Sequence, residues 1–186
     1  MDIIIGSKNE HKIKEINDSL GTSYKGVDAD IVEPIENGKT LKENAFIKAV
    51  YYYGIYNKAV IADDTGFYVK ALNNDPGINA KRFSGGTPKD NNNLVLKLLS
   101  GKKQRNAYFK AVLCLYINPS KYYFFSGKVK GKVITYIENE NSFGYDSIFY
   151  CNKCKKIFST LSTDEKNKVS HRGKALTKLK RKLENE

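Results

Sequence analysis

The chain has 186 residues, of which 40% are hydrophobic and 12% aromatic, and its formal net charge at pH 7 is +12. This composition excludes a disordered chain, and the length fits one domain over residues 1–186 with no independent modules. Three cysteines are too few, and odd in number, for a disulfide framework, so we expect a reducing, cytoplasmic location.

The chain shows no signal for a membrane or for secretion. It has no run of eighteen apolar residues, and its first residues, MDIIIGSKNEHK, contain only three apolar residues in succession. We therefore expect no signal peptide, no transmembrane span and no membrane partner. The 32 Lys+Arg against 20 Asp+Glu suggest a polyanionic partner such as nucleic acid. Lys, Asn, Ile and Tyr are abundant together, as AT-rich codon usage produces, so charge alone supports nucleic-acid binding only weakly.

The first half of the chain predicts two strands and two helices. Residues 2–5 form a strand, and a polar loop leads to a helix with apolar residues at helical spacing. Thr40 and Glu43 have the spacing of a capping box and start a second helix. The residues expected along one side of that helix are Ala45, Ala49, Val50 and Tyr53. The apolar run AVIA at 59–62 predicts a strand buried on both faces, which ends at two acids.

The second half predicts a long loop, more strands and a final helix. Residues 73–93 are rich in Asn, Gly, Pro and Asp and predict a functional or flexible loop, followed by a helix that stops at Gly101. Residues 105–117 and 122–137 predict long antiparallel strands, and residues 147–151 predict a short one. The last helix has its apolar stripe at Ala175, Leu176, Leu179 and Leu183. Strands interspersed with helices indicate an α/β fold.

Asp63 and Asp64 raise the main functional question. At the end of a strand, just before Gly66, the backbone can turn and direct both carboxylates at one divalent cation. The alternative is that the two acids only stabilise a turn or cap a helix. The pair by itself leaves both interpretations open.

Two segments nearer the N-terminus could handle phosphate and metal. GSKNEHK, residues 6–12, joins a strand to a helix whose free N–H groups, together with Lys12, could bind phosphate, although a Ser or Asn there is more often a helix cap. Glu36 and Glu43 flank Gly38 and could add a carboxylate to a metal site. Either could equally be solvated, and Glu43 could be used by the capping box.

Two later segments could contact a nucleotide base. In SFGYDS, Phe143 or Tyr145 could stack on a purine and Asp146 could accept hydrogen bonds from base N–H groups; the alternative is an aromatic anchor in a turn. In KVSHRGKAL, His171 and Arg172 stand at a predicted helix start, and both can donate to a base carbonyl or a phosphate. A multi-histidine metal centre is not expected from two histidines.

Taken together, these segments closely resemble the inosine triphosphate pyrophosphatase, or Ham1-like, family. Its characteristic stretches occur in order as SKNEHK, TLKENAFIKA, ADDTGFYVKALNNDPGINAKRFSG, FGYDSIF and SHRGKAL, covering nearly the whole chain. The resemblance implies an elongated mixed β-sheet with flanking helices, two lobes around a central active-site cleft, and a homodimer.

The resemblance also implies the reaction and its residues. The expected activity is Mg²⁺-dependent hydrolysis of ITP, dITP and XTP to the monophosphate and pyrophosphate, with Mn²⁺ as a substitute ion, which cleanses the nucleotide pool. By motif, the triphosphate contacts are Ser7, Asn9 and Lys12, the metal ligands are Glu36 and Asp64, the proton acceptor is Asp64, and the other nucleotide contacts are Thr65, Phe143, Gly144, Tyr145, Asp146, Lys166, His171 and Arg172. Whether Asp63 or Glu43 also contacts the metal stays open.

The implied mechanism is attack of water on the α-phosphorus, with Asp64 taking the proton and Lys12 and Lys166 offsetting charge on the leaving phosphates. His171 and Arg172 are the candidates for recognising a 6-oxo purine, because an adenine amino group would leave their donors unpaired. The expected partner is thus a small purine nucleoside triphosphate.

Two other functions would also fit parts of this sequence pattern. A basic nucleic-acid-binding protein would bind oligonucleotides with a steep salt dependence, whereas the enzyme would need a divalent ion; the collinear acids favour the enzyme, and we expect no stable nucleic-acid partner. A pyrophosphatase for dTTP or UTP is disfavoured by SHRGKAL, which resembles the purine branch.

Cys151 and Cys154 form a C-x-x-C pair with no second pair or suitably spaced histidine, so we interpret this segment as a plain loop.

Overall fold

The computed structural model describes residues 2–185, and within this range the chain forms five α-helices and seven β-strands. The helices are α1 (Glu10–Leu20), α2 (Leu41–Tyr56), α3 (Pro88–Leu98), α4 (Thr163–Val169) and α5 (His171–Leu183). The strands are β1 (Ile3–Ile5), β2 (Ala59–Val69), β3 (Pro76–Gly77), β4 (Asn106–Asn118), β5 (Lys121–Val133), β6 (Phe149–Cys151) and β7 (Lys156–Ile157). No helix in residues 2–185 is long and apolar enough to cross a membrane.

All seven of the strands described here join one mixed sheet. Its order is β1-β2-β4-β5-β6-β7, and β3 pairs with β2 outside this path. β1 runs parallel to β2, with Ile3 opposite Ala59, whereas β3 is antiparallel to β2 and β6 is antiparallel to both β5 and β7. The predicted α/β class with a mixed sheet and flanking helices is confirmed.

The chain divides into two compact units. Unit 1 comprises Met1–Asp64, Ala111–Gly127 and His171–Glu186, and unit 2 comprises Thr65–Lys110 and Lys128–Ser170. Strands β2, β4 and β5 contribute residues to both units. The prediction of a single domain over residues 1–186 stays a prediction.

The core of unit 1 packs α1 and α5 against one face of the sheet. Alternate strand residues point to this face because side chains along a strand alternate sides. The buried residues of this core are Ile3, Ile5, Ile16, Leu20, Ala59, Ile61, Leu113, Leu115, Ala175, Leu176 and Leu179. The predicted stripe of the last helix is confirmed, with Leu183 partly buried at its end.

The core of unit 2 is rich in aromatic residues. Phe67 stacks on Tyr145 at a ring-centroid distance of 4.6 Å, and Phe109 meets Phe149 edge to face at 4.8 Å. Val95 and Leu99 from α3 and its C-terminal end are also fully buried in this core. These ring contacts hold the segment around Tyr145 in place. This segment contains several of the residues that the sequence predicts to contact the nucleotide.

Three predicted boundaries were wrong. The strand predicted at residues 59–62 continues to Val69, because Phe67 and Val69 are buried in unit 2 and extend the apolar pattern beyond the acids. The predicted loop at 73–93 ends earlier: α3 begins at Pro88, where Thr87 and Asp90 form a reciprocal capping box. The strand predicted to reach residue 137 ends at Val133.

The buried side of α2 also differs from the prediction. Val50 is exposed and Tyr53 is only partly buried. The buried residues of α2 are Leu41, Asn44, Ala45, Lys48, Ala49 and Tyr52. Asn44 and Lys48 are polar, and they are buried because they contact the carboxylate of Asp64.

Candidate active site

Asp63 and Asp64 lie inside β2 and belong to opposite faces of the strand. The prediction that the backbone turns and directs both carboxylates at one cation is therefore wrong. Asp63 shares the face of Ala59 and Ile61, which packs against α1 and α5. Asp64 shares the face of Val60 and Ala62, and its carboxylate contacts Asn44 and Lys48 of α2. Each acid consequently has its own set of partners.

Asp63 is the centre of a buried charge cluster in unit 1. Its Oδ1 accepts a hydrogen bond from Lys12 Nζ at 3.0 Å, and its Oδ2 accepts from Arg172 Nε at 3.3 Å and Nη2 at 3.2 Å. Arg172 Nη1 also donates to Glu15 Oε2. Asp63 and Arg172 are each only 2% exposed, so these charges interact with little screening by water.

The cluster shifts the pKa values of its members. Burial would raise the pKa of the Asp63 carboxyl, but the charges of Lys12, Arg172 and Lys48 together hold it well below its ordinary value. Burial lowers the pKa of Lys12, and the Asp63 carboxylate only partly opposes this effect. Asp63 thus remains ionised and holds Lys12 in place near the start of α1.

Asp64 forms a second cluster with residues of α2 and the loop before it. Its Oδ1 accepts from Lys48 Nζ at 3.3 Å, and its Oδ2 accepts from Asn44 Nδ2 at 3.2 Å. Lys48 Nζ also donates to Glu36 Oε2 at 3.3 Å. The carboxylates of Asp64 and Glu36 therefore converge on one cation, the Lys48 ammonium.

In this second cluster, the pKa values of Asp64 and Lys48 are both raised. Burial, with a smaller contribution from Glu36, raises the pKa of Asp64 although Lys48 opposes the shift. Burial would lower the pKa of Lys48, but the charges of Asp64, Asp63 and Glu36 raise it. A buried carboxylate with a raised pKa is suited to accept a proton from water.

The segment before α1 is organised by hydrogen bonds to its own backbone. Asn9 caps the helix, its Oδ1 accepting from the Lys12 backbone N–H at 3.2 Å, and Ser7 Oγ accepts from Asn9 N–H at 3.1 Å. Glu43 is used at the start of α2, where its side chain accepts from the Lys39 N–H and its backbone N–H donates to Thr40 Oγ1. Glu43 thus helps to cap the start of α2, which is one of the roles that the sequence left possible.

In unit 2, the predicted base-contacting segment is anchored by Tyr145. Its ring is buried against Phe67, and its hydroxyl donates to the Ala80 carbonyl at 2.7 Å, so it serves as the aromatic anchor of a turn. Lys166 Nζ pairs with Asp146 Oδ2 at 2.5 Å and lies 5.7 Å from the Phe143 ring centroid. Phe143, Asp146 and Lys166 are therefore brought together.

The remaining predicted residues are placed as follows. Gly144 adopts a positive φ of 56°, and its carbonyl accepts from Asn92 Nδ2 at 3.0 Å. Thr65 follows Asp64 in β2 and is half-buried. His171 is the first residue of α5 and is 4% exposed. The predicted roles of these residues, and of Arg172 in reading the base, stay predictions.

Sequence reasoning missed four residues that the structure places in these clusters. Lys48 and Asn44 lie one turn apart on the buried side of α2, and a polar pair among Ala45, Ala49 and Tyr52 was the available signal. Glu15 lies on α1 and had no local signal. Asn92 of α3 also donates to Ser147 Oγ at 2.9 Å and so supports the turn around Gly144.

The fold and these clusters define the chain as an α/β protein with acids and lysines gathered around an interior strand. A sequence profile of the Ham1 family matches residues 3–182. A relative named "dITP/XTP pyrophosphatase", from Thermoanaerobacter pseudethanolicus, is 41% identical, with 97% of this chain and 95% of that protein aligned. The chain belongs to the Ham1 family.

Solved structures agree with this assignment. The Ham1 protein of Staphylococcus aureus superimposes with a TM-score of 0.88 and 34% identity, covering 100% of this chain and 99% of that one. A HAM1 protein from Coxiella burnetii gives a TM-score of 0.89 and 29% identity, covering 99% and 98%. The resemblance identified from the five sequence segments is confirmed.

Proposed function

We propose that the chain is a nucleoside triphosphate pyrophosphatase that hydrolyses ITP, dITP and XTP to the monophosphate and pyrophosphate. By this reaction it removes non-standard purine nucleotides from the nucleotide pool. The observation that carries the proposal is Asp64, a buried carboxylate held by Lys48 and Asn44 in a chain of the Ham1 family. The names of its relatives support the substrate class.

Mg²⁺ is the proposed cofactor, and Asp64 and Glu36 are its proposed ligands. Their carboxylates already converge on the Lys48 ammonium, and hard oxygen donors are the ligands that Mg²⁺ prefers. No group of three or more His, Cys, Asp or Glu side chains in residues 2–185 could hold a metal. A site with only two protein carboxylates suits Mg²⁺, or Mn²⁺ in its place, because these ions commonly complete their coordination with water and substrate phosphate. When bound, the ion supplies positive charge that offsets the triphosphate.

Asp64 is the proposed general base. Its raised pKa favours proton uptake from a water that attacks the α-phosphorus. Asn44 fixes the orientation of the carboxylate by donating to Oδ2 and also accepts from the Gly38 N–H at 2.8 Å. The backbone before α2 and the catalytic carboxylate are therefore held by one amide side chain.

Lys12 and Lys48 are the proposed cations for the triphosphate. Both are largely buried and both are paired with carboxylates of β2, so their ammonium groups are fixed before substrate binds. A preorganised cation contributes more to binding charged phosphate than a mobile surface lysine, because less conformational entropy is lost. Lys166 is proposed to contact the nucleotide as well.

Selectivity for a 6-oxo purine is proposed to come from donors at His171 and Arg172. Adenine carries an amino group at this position, which would leave such donors unpaired. Arg172 also holds Asp63 and Glu15, so its substitution would disturb the Lys12 cluster in addition to any base contact.

The test is a panel of nucleoside triphosphates assayed for pyrophosphate release with and without Mg²⁺. We expect release from ITP, dITP and XTP, much slower release from ATP and GTP, and none without a divalent ion. A preference for dTTP or UTP, or tight binding of oligonucleotides without hydrolysis, would contradict the proposal. Size-exclusion chromatography with light scattering would test the homodimer that we propose from the family.

A further inference from the structure

One side of the sheet in unit 2 is rich in lysine and tyrosine side chains. Along residues 65–70, 106–110, 128–133 and 149–151, these side chains alternate with buried residues. We call this surface the lysine face, and its members are Tyr68, Lys70, Tyr108, Lys110, Lys128, Lys130, Lys132 and Tyr150. Its five lysines are exposed and its three tyrosines are half-buried. The four segments contain no Asp or Glu, so the face is strongly positive.

Tyrosine rings support the lysines of this face. The rings of Tyr68 and Tyr108 stack with their centroids 4.7 Å apart and their planes within 7°. Lys128 Nζ lies 3.6 Å from the centroid of the Tyr108 ring, and Lys132 Nζ lies 5.0 Å from that of Tyr150, its partner in the β5–β6 register. Attraction between an ammonium group and a ring restricts the lysine side chain, so less conformational entropy is lost when the ammonium group binds an anion.

The lysines of the face repel one another. Partial loss of hydration lowers the pKa of Lys128 most, and the charges of three neighbouring lysines lower it further. These neighbours are Lys70, Lys110 and Lys130. A polyanion lying along the face would be attracted by all five lysines at once and would relieve their repulsion.

We propose that the lysine face binds single-stranded nucleic acid, with phosphates on the lysines and bases against the tyrosines. Residues on one side of an antiparallel strand recur about every 6.8 Å, which is twice the rise per residue. This interval is close to that between successive phosphates of an extended single strand, so Lys128, Lys130 and Lys132 match the repeat of their ligand. The tyrosine rings provide apolar surface between the lysines, and a single strand can turn its unpaired bases toward it.

Other occupants fit the lysine face less well. A second copy of the chain would bring the same positive charge to it, which disfavours self-association through this surface. No large apolar side chain of residues 2–185 is strongly exposed on the face, which disfavours a lipid surface. A duplex keeps its bases stacked inside and inorganic polyphosphate has no bases, so neither uses the rings.

The proposed contact is weak and is separate from the proposed pyrophosphatase site. No residue of the lysine face belongs to the proposed catalytic, metal or nucleotide-binding residues. Oligonucleotide binding and pyrophosphate release can therefore be measured independently, and the failure of one proposal leaves the other standing.

The test is fluorescence anisotropy of a labelled oligo(dT) of about twelve nucleotides, titrated with the full-length protein at several salt concentrations. We expect a Kd of about 1–100 μM that weakens as salt increases. Lys130→Glu/Lys132→Glu should weaken binding about tenfold or more and reduce the salt slope by about 1.4, because each lost phosphate contact lowers that slope by about 0.7. Pyrophosphate release from dITP should stay at the wild-type rate in this variant.

Lys97→Glu/Lys102→Glu is the matched control, because it changes the net charge equally. Both lysines are exposed, Lys97 on α3 and Lys102 in the turn after it. α3 packs on the core side of the sheet, opposite the lysine face, so this variant should bind oligo(dT) within about twofold of the wild type. Far-UV circular dichroism verifies that both variants fold.

Three results would overturn the proposal. The first is no binding of oligo(dT) by the wild type at low salt. The second is equal weakening in the two double variants, which would show that binding follows only the overall charge. The third is tighter binding of a duplex of the same length, of inorganic polyphosphate or of phosphatidylserine vesicles than of oligo(dT).

Discussion

Asp63 and Asp64 are neighbours in the sequence but perform separate tasks because successive strand residues face opposite sides. Asp63 binds Lys12 and Arg172 and stays ionised, whereas Asp64 faces Lys48 with a raised pKa. The first is suited to hold cations in place and the second to accept a proton. Asp63 therefore has a structural role in the fold, and the catalytic role is the one proposed for Asp64.

Asp64→Asn should abolish turnover while the protein stays folded. An amide keeps the shape of the side chain but cannot accept the proton, and loss of a general base typically costs a hundredfold or more in rate. The measurement is kcat for pyrophosphate release from dITP, with far-UV circular dichroism as the check on folding. More than about a tenth of wild-type kcat in the variant would exclude Asp64 as the base.

Asp63→Asn should destabilise the fold by about 3–5 kcal/mol, because it leaves the buried charges of Lys12 and Arg172 without their shared partner. The depressed pKa of Asp63 means that its contribution is present above its ordinary value of 3.8 and is lost as pH falls through the folded value. The difference from wild type should therefore be full at pH 7 and shrink in strong acid. Urea denaturation at several pH values measures it.

Asp18→Asn is the matched control for this stability measurement. Asp18 pairs with Lys14 on the exposed side of α1, where both side chains are well hydrated. Its substitution should leave the free energy of unfolding nearly unchanged. A similar loss of stability in both variants would show that the burial of Asp63 has no special energetic effect.

Lys12→Ala should raise KM for ITP, dITP, XTP and GTP by a similar factor, because a phosphate contact does not distinguish bases. Lys14→Ala, on the exposed side of the same helix, should leave KM unchanged. Steady-state kinetics on the four substrates provide the comparison. A strong change in the preference among bases would place Lys12 at the base instead.

At the scale of elements, two glycines distinguish close packing from open space. A Cβ at Gly127 would lie 2.0 Å from the His171 carbonyl oxygen at the start of α5, whereas a Cβ at Gly54 of α2 would meet nothing within 4 Å. Gly127→Ala should thus destabilise by about 1–3 kcal/mol. Gly54→Ala should stabilise by about 0.5–1 kcal/mol, since alanine favours the helix. Thermal or urea unfolding that ranks the two variants in the opposite order would contradict this packing.

Local patterns predicted the elements well where one signal dominated. The apolar stripe of α5 and the long strand β4 follow directly from residue spacing. β2 was cut short because Asp63 and Asp64 look like a strand end, although buried partners let them stay in the strand. The side of α2 was misjudged because Asn44 and Lys48 are polar, and only their contact with Asp64 explains their burial. Tertiary contacts therefore overrode the local pattern where the proposed chemistry lies.

At the scale of the whole molecule, five collinear segments were sufficient to predict the family and the fold class. They did not predict the pairings, because Arg172 lies 157 positions from Glu15 and 109 positions from Asp63 in sequence. No local periodicity encodes a contact of this separation. Lys12, Asp64 and Arg172 could thus be selected from the sequence as candidate site residues, but their hydrogen-bond partners required the structure.

The most direct test of the account is the position of the oxygen atom that hydrolysis introduces. The protein is incubated with dITP and Mg²⁺ in ¹⁸O-labelled water, and the products are analysed by mass spectrometry. Attack on the α-phosphorus by a water that Asp64 deprotonates predicts one labelled oxygen in the monophosphate and an unlabelled pyrophosphate. Label in the pyrophosphate, or stepwise release of orthophosphate, would contradict the proposed reaction.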